Sequence, residues 1–273
     1  MNEFITHVKR YHTSHKKPYR YFGAVKENFK GIGIELEFDS AIPGLDTIRF
    51  RNNCAKLLAE HRLAEHYFIE RDSSLKRGFE IVTQPHTISA MKEFLTEFSE
   101  VFPQLVEYGA EDGIVNAALH IHVSKESFGS TPDEQIDRIA KVIAFIANCP
   151  EEWIKQGRRK ETKKCVPLTN LTTEELAVQY VRDTYNIKGE DRSKIDRYVA
   201  VNLRNETTVE FRTMQTTFNL GIIFAEIDFV NHLVKKSAEI AWEDVANASK
   251  WLQDVPNNVR EYLIQQKAYL PYL

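Results

Sequence analysis

The chain has 273 residues, 42% hydrophobic, 11% aromatic and 27% charged, with a net charge of -3, which is enough apolar sequence to bury a substantial core and no global charge to draw it to nucleic acid or membrane. No apolar run approaches the roughly 20 residues that span a bilayer, and the N-terminus lacks the apolar core of a signal peptide. Three cysteines, Cys54, Cys149 and Cys165, without CxxC spacing argue against a disulfide framework and a thiolate zinc site, and fit a reducing cytoplasm.

Residues 1–30 are polar, basic and aromatic without clear periodicity, and form an expected arm ahead of a single domain over 31–273. Gly31–Phe38 then alternates apolar and polar residues, which predicts a strand carrying Glu35 and Glu37 on one face. Ile48–Ala64 has helical spacing through Phe50, Cys54, Leu57 and Leu58, and Tyr67–Arg71 suits a short strand. Asp72-Ser73-Ser74-Leu75 makes a polar turn into the strand Gly78–Thr83, which carries Glu80. Met91, Phe94, Leu95, Phe98, Val101 and Phe102 predict a helix that Pro103 ends or kinks.

Leu119–Val123 alternates again, with His120 and His122 on one face. Thr131-Pro132-Asp133-Glu134 has the capping-box pattern before a helix through Ile136, Ile139, Ile143 and Ile146, and Thr172–Glu175 repeats it before Leu176–Tyr185. Tyr198–Arg204 and Thr208–Thr213 predict two strands joined at Asn205–Thr207, with Asn202 and Arg204 on the first, Arg197 just before it, and Glu210 and Arg212 on the second. Asn219–Ala238 predicts a long helix, and Trp242–Gln266 two helical pieces broken at Pro256. The sum is an α+β fold: an antiparallel sheet with helices packed on one face and the other face open for chemistry.

Each polar pair has a bland and a functional account. Glu35 and Glu37 are either solvated or share a divalent cation; His120 and His122 are hydrogen-bonded structural residues or ligands. Glu210 with Arg212 is a structural cross-strand pair or part of a phosphate site, and Asp72 is a turn residue or a site carboxylate. With Glu35, Glu37, Glu80 and Glu210 beside one or two imidazoles the donor set is oxygen-rich, which favours Mg²⁺, or Mn²⁺, over Zn²⁺. Two local basic clusters, Lys9–Arg20 and Lys155–Lys164, leave open a non-catalytic binder of nucleic acid or protein; Gly157–Lys164 is a solvated loop or a flap over phosphates.

The order ExE, DxSL with a glutamate strand, HxH, RxxxxN and ExR resembles the amidoligase family, carboxylate–amine ligases related to glutamine synthetase and glutamate–cysteine ligase. The segments that carry it are Gly33–Phe38, Asp72–Leu75 with Gly78–Pro85, Leu119–Val123, Arg197–Leu203 and Val209–Arg212. The resemblance implies a glutamine synthetase-like catalytic domain that uses ATP and Mg²⁺ to join a carboxylate-bearing and an amine-bearing substrate, whether small amino acid, peptide or protein. It implies Glu35, Glu37, Glu80, His122 and Glu210 as metal ligands, Arg197 and Arg212 as holders of ATP phosphates or the acyl phosphate, and Asn202 as orienting substrate or phosphate; His120 is a further metal-ligand candidate and Arg204 a further nucleotide-binding one. Arg197, Arg212 and Asp72 become the catalytic candidates, with Asp72 accepting the amine proton. A phosphotransferase of the same superfamily is the alternative enzyme, nucleic acid is disfavoured as a partner, and a second subunit or the arm could complete the site.

Overall fold

The computed structural model describes residues 20–23, 31–159 and 163–273. Most of the expected arm, with all of its basic cluster except Arg20, and Lys160 of the second basic cluster lie outside the described residues. The chain divides into two compact units: residues up to His120 with Gln215–Leu220, and Ile121–Met214 with Gly221–Leu273.

The first unit opens with β1 (Ile32–Phe38), whose Ile34, Leu36 and Phe38 are buried. Helix α1 (Thr47–Glu60) starts where the Asp46 carboxylate accepts the N–H groups of Ile48 and Arg49, and it buries Phe50, Cys54 and Leu58. It stops four residues before the expected Ala64, because His61 is extended; a separate 3-10 turn, Ala64–His66, leads into β2 (Tyr67–Glu70) and then β3 (Phe79–Thr83). Helix α2 (Ile88–Phe98) is capped by Thr87. The helix expected to run to Phe102 instead breaks through a 3-10 turn at Ser99–Val101, and Pro103 sits in the first turn of α3 (Phe102–Tyr108), where a missing N–H costs no hydrogen bond. β4 (Ala118–Ser124) leaves the first unit after His120.

β3 pairs antiparallel with both β1 and β2. Leu36 stands opposite Ile81 and Ile81 opposite Ile69, while Phe38 faces Phe79. This apolar face carries the helices: Phe79 packs on Phe50 of α1 at a ring separation of 6.2 Å, and Tyr67 packs edge-on against Phe98 of α2 and donates to the Leu58 carbonyl at 2.7 Å. By the same register Glu37, Glu80 and Glu70 line up on the reverse face.

In the second unit α4 (Pro132–Asn148) has the full capping box between Thr131 and Glu134. α5 (Pro150–Gln156) is a short helix not expected from sequence, and α6 (Glu174–Asn186) is capped by Thr173. β5 (Val201–Asn202) pairs antiparallel with β6 (Thr208–Gln215). The expected strand Tyr198–Arg204 shrinks to those two residues because Tyr198 and Ala200 turn their backbone to Val166, with bonds of 2.9 Å each. α7 (Leu220–Lys236) follows, then α8 (Ala248–Leu252) and α9 (Asn257–Gln265), so the C-terminal stretch is a 3-10 turn at Trp242–Asp244 and two helices, with Pro256 at the start of the last. Trp153 of α5 anchors this core, donating to Thr213 Oγ1 at 2.6 Å and packing between Phe211 and Phe229.

In the first unit the strands hydrogen-bond in the order β2-β3-β1, in the second β5 pairs with β6, and the fold is α+β. Among the described residues no helix is long and apolar enough to cross a membrane, and the three cysteines are free.

The connection from β2 to β3 is pinned by Asp39, which accepts the N–H groups of Lys76 and Arg77, and by Gly78, where an added Cβ would lie 1.8 Å from the Phe38 carbonyl oxygen. That oxygen belongs to backbone and cannot yield. Gly78→Ala is therefore expected to destabilise the fold by about 3 kcal/mol, read as a lower denaturation midpoint with secondary structure retained; a midpoint within error of the parent contradicts this packing.

Candidate active site

In the first unit the reverse face of the sheet gathers acids. Glu37 and Glu80 are directly opposite each other on β1 and β3, and both are at least 96% buried. Glu37, Asp72 and Glu80 each offer an oxygen, and these three atoms lie within 4.8 Å of one another. Glu37 is aimed by the Ala118 N–H, which donates to its Oε2 at 2.7 Å. His120 bridges the two glutamates of β1, with Nδ1 2.9 Å from Glu35 Oε2 and Nε2 3.9 Å from Glu37 Oε1. Asp72 does hold its turn, accepting the Ser74 N–H at 2.7 Å and the Ser74 hydroxyl, and it is also the least buried member of the trio.

Burial first, and then the charges of Glu35, Asp72, Glu37 and Glu70, push the Glu80 carboxyl well above its ordinary range. A carboxylate in that position is stabilised by a cation, and a set of carboxylate oxygens with a single imidazole suits a hard divalent ion such as Mg²⁺. Glu70, 2% exposed and opposite Glu80, belongs to this row although no sequence motif pointed to it. The signal was available only through the β2–β3 register.

In the second unit Glu210 is held from two sides. Asn202 donates to its Oε2 at 2.6 Å, and the Arg212 guanidinium donates to its Oε1. Asn202 is itself oriented, because its Oδ1 accepts the Arg204 N–H at 2.9 Å. Arg212 reaches the Lys164 carbonyl, and Arg159 donates to the Arg212 carbonyl at 2.9 Å. His122 has its Nδ1 3.4 Å from both Thr208 Oγ1 and Asn205 Nδ2.

Arg197 lies in the irregular segment before β5, half-exposed, with its guanidinium 5.2 Å over the Tyr198 ring. Of the HxH pair, His120 contacts Glu35 and Glu37 within the first unit, and His122 contacts Thr208 and Asn205 within the second. Three described residues of the second basic cluster make local contacts. Lys155, in the last turn of α5, pairs with Glu152, Arg158 pairs with the buried Glu226, and Arg159 reaches into β6.

The Glu80 shift has a direction that can be tested without substrate. Because the folded pKa is raised, the neutral carboxyl favours folding below the ordinary glutamate pKa of about 4.3, and that contribution is lost as pH rises through the folded pKa. With chelator present, melting temperature is expected to fall across this interval, the fall being flattened in Glu80→Gln and by added Mg²⁺. Identical pH slopes in parent and Glu80→Gln contradict the assignment.

The chain matches no curated protein. Among solved structures it is similar to a bifunctional glutathione synthetase from Pasteurella multocida, with 11% sequence identity and a TM-score of 0.44; the match covers 88% of this chain and 46% of that one, so the chain spans about half that protein's length. The family described as "Putative amidoligase enzyme" matches residues 35–234, well over half of the chain and every candidate residue from Glu35 to Arg212. On that match, the chain belongs to the amidoligase family.

Proposed function

We propose that this protein is an ATP-dependent carboxylate–amine ligase that forms an amide or isopeptide bond through an acyl phosphate. The observation that carries the reading is the buried opposition of Glu37 and Glu80, closed by Asp72 and flanked by Glu35 and His120. Family membership supports it. Glu35, Glu37, Glu80 and His120 would hold Mg²⁺ in the first unit, and Glu210 and His122 are the candidate ligands of the second. Bound there, the ion supplies charge neutralisation on the phosphates of ATP.

A substrate carboxylate oxygen attacks the γ-phosphorus, the bond from that phosphorus to the ADP oxygen breaks, and an acyl phosphate results. The amine nitrogen then attacks the acyl carbon, inorganic phosphate leaves, and the amine proton is taken up. Arg212, whose fork is already oriented by Glu210, and Arg197 serve the phosphoryl oxygens, while Asn202 and Arg204 orient nucleotide or phosphate. Asp72 is the residue assigned to accept the proton, as the least buried of its trio. The substrates are a carboxylate and an amine borne by an amino acid, a peptide or a protein.

Calorimetric titration of a non-hydrolysable ATP analogue, with Mg²⁺ or chelator, tests the reading. Binding is expected only with metal, and at least about tenfold weaker in Glu37→Gln, in line with the usual cost of disturbing a metal site. Phosphate release should then require a carboxylate and an amine together. A phosphorylated product without amide would support the phosphotransferase, and no nucleotide binding under any metal condition would remove both enzyme readings.

A further inference from the structure

The five residues between β5 and β6 are held from behind by two buried cations that belong to no sequence motif. Arg192 uses all five of its N–H groups on backbone carbonyls: Nε on Arg204 at 2.7 Å, Nη1 on Thr184 at 3.3 Å and Ile187 at 2.7 Å, Nη2 on Asn205 at 3.0 Å and on Leu203. Lys125 takes the next two carbonyls, its ammonium accepted by Glu206 at 2.9 Å and its backbone N–H by Thr207 at 2.9 Å. Five consecutive carbonyls, 203 to 207, are therefore fixed by two side chains and one amide. Both cations are 6% exposed, and among the described residues neither has a carboxylate within ion-pair distance. Lys125 is further seated 4.5 Å over the Tyr185 ring.

Burying two cations with Glu206 as a nearby charge but no carboxylate in ion-pair contact is costly, and a short hairpin loop would have joined β5 to β6 without them. What the arrangement achieves is the placement of side chains on that connection. Asn205 and Thr208 meet His122 Nδ1, each at 3.4 Å, and the Arg204 N–H orients Asn202 towards Glu210.

We propose that Lys125 and Arg192 are positioning residues, a clamp that sets Asn205 against His122 and Asn202 against Glu210. The clamp rests on the proposed ligase reading only for its purpose; its geometry can be tested apart from activity. Burial, with Arg192 and Lys188 nearby, lowers the Lys125 ammonium to about 8, whereas Glu206 raises it, consistent with a cation retained for what it holds.

The test is the position of the His122 ring resonances at fixed pH in isotope-labelled protein, for the parent, Lys125→Met, Lys125→Arg and Asn205→Ala. Lys125→Met is expected to displace them, Lys125→Arg to restore them, and Asn205→Ala to give the same displacement, with no further change in the double variant. In the enzyme assay Lys125→Met should lower kcat about tenfold with KM for ATP little changed, and Lys125→Arg should recover it. Unmoved His122 resonances in a folded Lys125→Met overturn the proposal. If Lys125→Met does not fold, Asn205→Ala leaves both cations in place and decides alone: unmoved resonances there overturn it equally. Absence of nucleotide binding by the parent would defeat the ligase reading and leave the His122 readout standing.

Discussion

Like charges directly opposite one another in an antiparallel sheet repel, and the first unit places three in a row, Glu37, Glu80 and Glu70, under near-complete burial. That constraint orders much of what surrounds it. The apolar reverse of the same strands, Leu36 with Ile81 and Ile69 and Phe38 with Phe79, carries α1 and α2, so a slip of one residue would put the acids into the core and the aromatic residues into the site. Register is thus fixed by the hydrophobic face and inherited by the chemical one. The acids are accommodated by aimed donors, the Ala118 N–H on Glu37 and His120 on Glu35, and by a raised pKa on Glu80. Under the proposed function a divalent cation would supply the remaining neutralisation.

The two units answer the polar-burial problem in opposite ways. In the first, carboxylates crowd together on one face of the sheet. In the second, cations are plentiful and are assigned: Arg212 to Glu210, Arg159 to the backbone of β6, Arg158 to Glu226, Arg192 and Lys125 to the carbonyls after β5. Glu226, wholly buried, is held near 7, raised by burial and drawn back by Arg158 and Tyr262. Tyr262 lies at hydrogen-bond distance from both Glu226 and the Gln156 carbonyl and owns one proton, so it can donate to both only in turn.

Much of this was legible in the sequence because it depends on parity. Alternation alone placed Glu35 with Glu37, His120 with His122 and Glu210 with Arg212, and the caps at Thr131 and Thr173 follow from side-chain hydrogen bonding that any chain with those residues can make. Parity also reaches its limit there. It put both histidines on one face and could not say that one turns to Glu35 while the other turns to Asn205. Glu70 was hidden because Tyr67–Glu70 does not alternate and an eight-residue connection leaves the β2–β3 register unread. The strand expected over Tyr198–Arg204 had the right pattern, but long-range partners decided otherwise: Val166 took the backbone of Tyr198 and Ala200, and Arg192 took the carbonyls beyond Asn202. Arg192 itself carried no signal, since an arginine saturated by carbonyls looks in sequence like any surface arginine.

The most direct measurement is proton release when Mg²⁺ is added to metal-free protein in weak buffer, at pH values stepped upward from the ordinary glutamate pKa of about 4.3, in the parent and in Glu80→Gln. If the facing Glu37 and Glu80 form a cation site, metal binding discharges the proton that burial and neighbouring charge favour on Glu80, and the parent releases protons that Glu80→Gln does not. Equal release from both proteins, or none from either across that range, would contradict the assignment of this cluster to a metal.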